Sequence, residues 1–481
     1  MTDLISALSS PVADEGTGFV TTGMPVSRID GRDKVSGQAH YAADMEDADM
    51  LYGVVVNSNI CKGHITDFVL DPALSVPGVV DIITHTNRPK IRSFDLFYKD
   101  MTAPGGSPFR PLYDDKILYS GQPVALVLAQ TFEAARHAAS LVELHADIEE
   151  YETDLKSNLQ HSRGPGNTRG GSPPPREKGN ADEAYAQAAF KIGAGIKAQY
   201  DSAAEHHNPM ELFATTVIRD GDGHLTIYDK TQSSQNSRWY ISRVFGLSSD
   251  KVTVRNPYVG GAFGAGLRPQ YQLPLAVMAA LKLKRSVKVV MTRQQMFGIG
   301  HRPETVQTVK LAADQDGTLK AIIHKAITTT SRFEEYVETI VNWSGQLYAC
   351  DNIKLAYELV SLDQSSPMNM RAPGAAQGIH ALEVAMDELA YQLRMDPLAF
   401  RLKNYADIDP STSLPYSSKE LRACYQQGAA RFGWKNRPLE PRSMRNGSEL
   451  IGYGMATGIW DAMQFFARAS AVLYGDGRLV V

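Results

Sequence analysis

Apolar and polar positions sort the chain into recognisable elements. Residues 124–129, VALVLA, form an unbroken apolar run that predicts a buried strand, and Thr131 follows as a helix N-cap. Glu133 sits where the first helical turn favours an acid, and the alanines after it would let the helix lie close against a sheet. An α/β unit is therefore expected over residues 31–151. Three later segments repeat strand, Asp-Gly turn, strand: TTVIRDGDGHLTIY, VKLAADQDGTLKAII and SAVLYGDGRLVV. Each predicts a β-hairpin. Helices are expected at 273–283 and 375–393, the second with Leu382, Ala385, Met386, Leu389 and Leu393 on one face. The second region reads as α+β.

Between the two regions, residues 158–180, NLQHSRGPGNTRGGSPPPREKGN, hold little that could be buried and are dense in Gly, Pro, Arg and Ser. They predict a linker and the main domain boundary; a long surface loop inside one domain is the alternative. In the third hairpin the returning strand, 478–481, leaves an unpaired edge, so a fragment, or one piece of a longer protein, is expected.

Composition narrows the classes. The chain has 481 residues, 43% of them hydrophobic, 21% charged and 9% aromatic, with a net charge of −4. That is the make-up of an ordinary globular protein of several domains, without the basic surplus that nucleic acid or an anionic membrane surface would attract. Cys61, Cys350 and Cys424 are too few and too far apart for a disulfide framework or a CxxC cluster site, which points to a reducing compartment. The N-terminus, MTDLISALSSPVADEGTG, lacks the parts of a secretion signal, and no run is long enough for a membrane span. A cytoplasmic protein, not exported on a signal of its own, is expected.

Chemistry gathers around NPYVGGAFGAG, residues 256–266, where a strand hands over to a helix. Glycines there would let backbone N–H groups approach an anion. Yet Leu267 and Arg268 stand where a Walker loop needs Lys and Ser or Thr, and the order G-x-x-G-x-G is not the dinucleotide pattern. A structural turn and a ligand site both remain open on this motif alone. Upstream, the run Thr231–Ser237 offers uncharged hydrogen-bonding groups, suited to a polar organic cofactor or to a capped helix start. Arg371, set among Pro367, Pro373, Gly374 and Gly378, could pair with an anion or satisfy carbonyls. His206 and His207 are adjacent, so in an extended segment they face opposite ways, which argues against a shared metal ion. Glu211, at the head of an apolar run, is the better candidate for a special carboxylate; a surface strand end is the alternative.

Taken together, GRDKVSGQAHYAAD, GQPVALVLAQT, AEHHNPME, TQSSQ, VGGAFGAG and MRAPGAAQGIHALEVAMDELAYQL resemble, in order, the molybdenum-binding large subunit of the xanthine oxidase and aldehyde oxidase family. The resemblance implies an α+β fold divided as an N-terminal extension, 1–25; an α/β-hammerhead domain, 26–155; a linker, 156–180; a first molybdopterin-binding domain, 181–425; and the incomplete start of a second, 426–481. It implies a molybdopterin cofactor, in the cytosine dinucleotide form, held by Gln232, Gly260, Gly261, Ala262, Phe263, Gly264 and Arg371, with no side chain ligating the metal. Gln232 would hydrogen-bond an oxo ligand, and the amides of Phe263 and Gly264 would lie beside the metal and its dithiolene. Gly260, Gly261 and Gly264 would let the backbone come close to the cofactor, with Phe263 aimed at it.

The implied reaction is oxidation of an aldehyde to a carboxylic acid with water as oxygen source, electrons leaving through [2Fe–2S] clusters to FAD on separate small and medium subunits. Leu267 stands where purine-oxidising members carry a glutamate, and with Glu211 it is assigned to the substrate pocket; Ala372 stands where carbon monoxide dehydrogenases carry a cysteine. The family's base glutamate would fall beyond Val481, so no catalytic residue is assigned within the chain. An N-heterocycle hydroxylase of the same family and a catalytically incomplete assembly or interaction fragment are the alternative readings.

Overall fold

The computed structural model describes residues 24–166, 172–193, 199–462 and 466–481. The N-terminal stretch without a secretion signal's pattern and residues 167–171 of the expected linker lie outside them. The chain divides into two units, 1–40 and 41–481. In the first, the helix Gly31–Ser36 ends at Gly37, whose φ of 73° is the left-handed conformation that a C-terminal glycine supplies. Asp30 there takes ion pairs from Arg28 and Lys34.

In the second unit, β1 (Leu51–Asn57), β2 (Val79–Ile83) and β3 (Pro123–Ala129) lead into helix α1 (Phe132–Ala139). Every residue of β3 is buried, as its unbroken apolar run requires. The Thr131 hydroxyl accepts the Ala134 N–H at 3.2 Å, the expected cap, and α1 turns Ala135 and Ala138 inward. Beside these strands Gly63–Val69, Lys116–Ile117 and Glu143–Ile148 make a small antiparallel sheet.

Further along come β4 (Phe190–Ile192), β5 (Gln199–Ser202), the hairpin β6 (Ala214–Arg219) and β7 (Leu225–Asp229), helix α2 (Ser234–Phe245), β8 (Val252–Arg255), helix α3 (Gln272–Leu283) and β9 (Val287–Val290). One seven-stranded sheet runs β8-β7-β6-β9-β1-β3-β2. Its join is β9, which pairs parallel with β1 and antiparallel with β6. Strands from both sides of the expected boundary thus share one ladder. Helix α3 buries nine of its residues against this sheet, and Leu273, Leu275, Ala276, Val277 and Ala280 are inaccessible to solvent.

The remaining strands, β10 (Thr305–Ala313), β11 (Leu319–Ser331) and β12 (Ile353–Leu362), form a second sheet in the order β12-β11-β10-β4, with β5 also on β10. Helix α4 (Ala375–Gln392) packs there with Leu382, Ala385, Met386 and Leu389 fully buried, the face its periodicity predicted. It approaches so closely that a Cβ on Gly378 would lie 1.9 Å from the Ile340 carbonyl oxygen. The described parts of 158–180 do not hang free: Arg163 and Lys178 bridge to Leu359 and Ile353 of β12, and Gly166 donates its N–H to Glu335 at 2.6 Å. Unsatisfied backbone beside an exposed strand edge finds partners there, which composition alone does not reveal. The third hairpin, β13 (Val472–Leu473) and β14 (Leu479–Val480), is exposed on both strands. No helix among the described residues is long and apolar enough to cross a membrane.

Candidate cofactor site

Three strand-to-helix passages converge. The first follows β7, where the Thr231–Ser237 run does two jobs. Ser233 caps α2 by accepting the Asn236 N–H, and Ser237 donates to Asp229 at 2.9 Å. Asn236, also buried, donates to the Leu267 carbonyl at 3.0 Å. Most of the run is therefore spent inside the protein. Gln232 is exposed, its backbone N–H fastened to the Gly266 carbonyl at 2.8 Å.

The second passage is the glycine loop. Gln232 Oε1 accepts the N–H groups of Gly264 at 2.9 Å and Gly266 at 3.2 Å. With its oxygen committed, the side chain presents its NH2 group as a donor. Gly261 has φ 88° and Phe263 φ 55°, a conformation unusual for a residue with a side chain. Among the described residues no acceptor takes the N–H of Gly261, Ala262 or Phe263. Successive unpaired amides in alternating conformations form a concave donor surface for an anion. Phe263 is 46% exposed, with its ring against Gly261.

The glycines owe their identity to protein neighbours. A Cβ at Gly264 would lie 2.1 Å from the Asn369 carbonyl oxygen, and one at Gly260 2.7 Å from Glu211 Cβ. Glycine at these two positions clears space for loop-to-loop contact. Gly264 also spends its N–H on Gln232, so Phe263 rather than Gly264 offers the free amide. Glu211 accepts the Gly260 N–H at 2.7 Å through Oε2, while its Oε1 is buried with no partner among the described residues. Burial pushes its carboxyl up, opposed by that N–H and by the Lys230 charge. Leu267 is half-buried at the loop's far end, its carbonyl held by Asn236.

The third passage, residues 369–374, carries Arg371, which is exposed. Its N–H donates to the Phe263 carbonyl at 2.9 Å, joining the two loops directly. Arg302 Nη2 donates to the Arg371 carbonyl at 2.7 Å, and His207 Nε2 lies 2.7 Å from the Asn369 carbonyl. His207 is thus a loop support, while the His206 ring packs tilted against Phe297, centroids 4.7 Å apart; the adjacent pair serves different structures. No cluster of three or more His, Cys, Asp or Glu among the described residues could hold a metal ion. The site's donors are amides and a guanidinium, which fit an anionic organic cofactor bearing its own metal ligands.

Residues that composition and motif did not single out also hold the site. Arg268, noted only as breaking the Walker pattern, forks between Asp100 at 2.8 Å and Glu334 at 2.9 Å. Burial works against its charge, but Glu334 and Asp100 together raise its pKa. Glu338 accepts the Gly374 N–H at 2.6 Å. Neither role follows a local pattern; only contacts distant in sequence create them.

Comparison with known proteins places the chain in a family. Residues 161–405 match the molybdopterin cofactor-binding domain family, and residues 36–150 match the aldehyde oxidase and xanthine dehydrogenase a/b hammerhead domain. Over 464 residues, 95% of this chain and 60% of the relative, it is 35% identical to the aldehyde oxidoreductase molybdenum-binding subunit PaoC of Escherichia coli O157:H7. The aldehyde oxidoreductase of Desulfovibrio gigas shares the fold with a TM-score of 0.71 at 24% identity, over 85% of this chain and 46% of that one. The Cu,Mo-CO dehydrogenase does so with a TM-score of 0.72 at 21% identity, over 86% of this chain and 55% of that one. The chain spans about 60% of the length of PaoC. With a glycine loop, an exposed glutamine and an arginine turn brought to one surface, and with the family match covering 161–405, the chain belongs to the molybdopterin cofactor-binding domain family.

Proposed function

We propose that this chain forms one wall of the molybdopterin site of an aldehyde-oxidising enzyme. The supporting observation is the commitment of Gln232 Oε1 to the Gly264 and Gly266 amides, which leaves its NH2 group without a partner among the described residues, in a site where the amides of Gly261, Ala262 and Phe263 are also unpaired. Gln232 would donate to the cofactor, the three amides would cradle its anionic part, and Arg371 would balance its charge. When bound, the cofactor supplies two-electron oxidation of an aldehyde to a carboxylic acid, with water as oxygen source.

The chain's own part is to hold and orient. Gly260, Gly261, Ala262, Phe263 and Gly264 keep the loop in shape, and the Phe263 ring excludes water from one side. Leu267 gives the substrate pocket an apolar edge, which favours an aldehyde over a purine. Glu211 shapes that pocket through its grip on Gly260. No catalytic base is assigned to these residues. Electrons would pass to an iron–sulfur subunit and an FAD subunit, and the cofactor's nucleotide would be cytosine.

The test is to purify the chain with the products of neighbouring genes and to measure molybdenum, the nucleotide released from the pterin, and aldehyde-dependent dye reduction. Molybdenum near one atom per chain with aldehyde-dependent reduction is expected. A well-folded complex without molybdenum would sink the reading.

A further inference from the structure

The turn that carries Arg371 ends at Gly374, the N-cap of the 18-residue helix α4, and a glycine has no side chain with which to cap it. Its φ of 72° lies where residues with side chains are strained, and a Cβ there would sit 2.6 Å from the Thr339 carbonyl carbon. The cap must come from elsewhere. Glu338, only 1% exposed, supplies one acceptor at this helix end: its Oε1 takes the N-cap's own N–H, that of Gly374, at 2.6 Å.

We propose that Glu338 is a positioning residue for the Arg371 side of the cofactor wall, setting where that turn stands by anchoring the amide of Gly374, the N-cap of α4. The inference rests on the molybdopterin reading of the site. Glu338 is itself fixed, since its N–H donates to Tyr357 Oη at 3.0 Å. The next residues, Thr339 and Ile340, form the surface on which Gly374 and Gly378 press. Arg302 grips the same turn from the other side, donating to the Met370 and Arg371 carbonyls at 3.3 and 2.7 Å and pairing with Glu205 at 3.4 Å. Glu338 Oε2 and Arg302 Nε are both buried without a partner among the described residues. Such groups are retained at a cost in stability, which a merely space-filling side chain would not incur. Burial pushes the Glu338 carboxyl up to about 7, opposed by the Gly374 N–H and the Arg302 charge and reinforced by Glu205. A carboxylate at a helix N-terminus is also favoured by the aligned peptide dipoles.

The variants E338Q and E338M separate acceptor from volume in the 481-residue chain. Amide exchange across residues 371–377 is measured in the cofactor-free protein, and molybdenum retained after gel filtration in the loaded one. Glutamine keeps an acceptor for Gly374, so exchange and retention should stay near wild type. Methionine keeps the bulk alone, so Gly374 exchange should quicken about tenfold or more, the effect of leaving one buried donor without an acceptor, and cofactor retention should fall. Equal behaviour of the two variants overturns the proposal. If E338M does not fold, E338D decides: its carboxylate ends one methylene short, so faster exchange at Gly374 supports the role and unchanged protection overturns it. Wild-type protein without molybdenum would defeat the cofactor reading while leaving the exchange result to judge Glu338.

Discussion

The side-chain oxygen of Gln232 accepts the backbone N–H of Gly264 at 2.9 Å, so the residue proposed to donate to the cofactor also holds the loop beside it. Two roles share one amide group, and two substitutions divide them. Gln232→Glu keeps an oxygen for Gly264 and Gly266 but removes the NH2 donor. Its stability should change by less than about 0.5 kcal/mol, while cofactor retention falls. Gln232→Ala removes both, with a loss of about 1–3 kcal/mol for two neutral hydrogen bonds. Chemical denaturation and molybdenum content read the two effects; a Gln232→Glu protein that retains cofactor as wild type does would rule out the donor role.

Glycines in this chain are not equivalent. Gly264 has φ 110° and faces the Asn369 carbonyl, so Gly264→Ala should cost at least about 2 kcal/mol through clash and backbone strain. Gly428 lies inside the helix Leu421–Phe432 with open space where its Cβ would go. Gly428→Ala should stabilise by about 0.5–1 kcal/mol. Thermal melts of the two variants should move in opposite directions, and a neutral Gly264→Ala would mean that the two loops are not in contact.

The fork of Arg268 between Asp100 and Glu334 ties residues before the glycine loop to residues after it. Arg268→Met leaves two buried carboxylates facing each other and should cost about 3–5 kcal/mol. Arg268→Lys should recover little, because an ammonium cannot serve two carboxylates in a planar fork. Urea denaturation of both variants checks this; full recovery by lysine would show that charge alone is needed.

Acid stability has a stated direction. Burial lowers His324 to about 3, and it is enclosed by Ser344 at 2.7 Å and Gln307 at 3.1 Å. Its folded pKa lies below the ordinary histidine value, so between about 6.5 and 3 the unfolded chain binds the extra proton and stability falls as pH falls. At pH 5 the loss from this one group is about 2 kcal/mol relative to pH 7. Asp229 works oppositely: burial pushes it up to about 6, so its contribution weakens as pH rises from about 4 to 6. Denaturation at pH 7 and 5 should therefore show a His324→Leu protein less sensitive to acid than wild type. An unchanged pH slope would mean that His324 titrates normally in the folded state.

Sequence alone determined the local elements. The Asp-Gly turns gave the hairpins β6–β7, β10–β11 and β13–β14, and helical periodicity gave the buried face of α4. It also marked Gln232, the glycine loop and Arg371, because turn chemistry and the order of motifs are written in neighbouring residues. Tertiary structure decided the rest. A strand's alternation says which face is apolar but not which strand lies beside it, so the parallel pairing of β1 with β9 across the expected boundary was not legible. Nor were the partners of the glycine loop. Gly264 is glycine because of Asn369, and the Gly374 N–H is held by Glu338, contacts that exist only once distant segments have been brought together by burying the apolar faces that separate them in sequence.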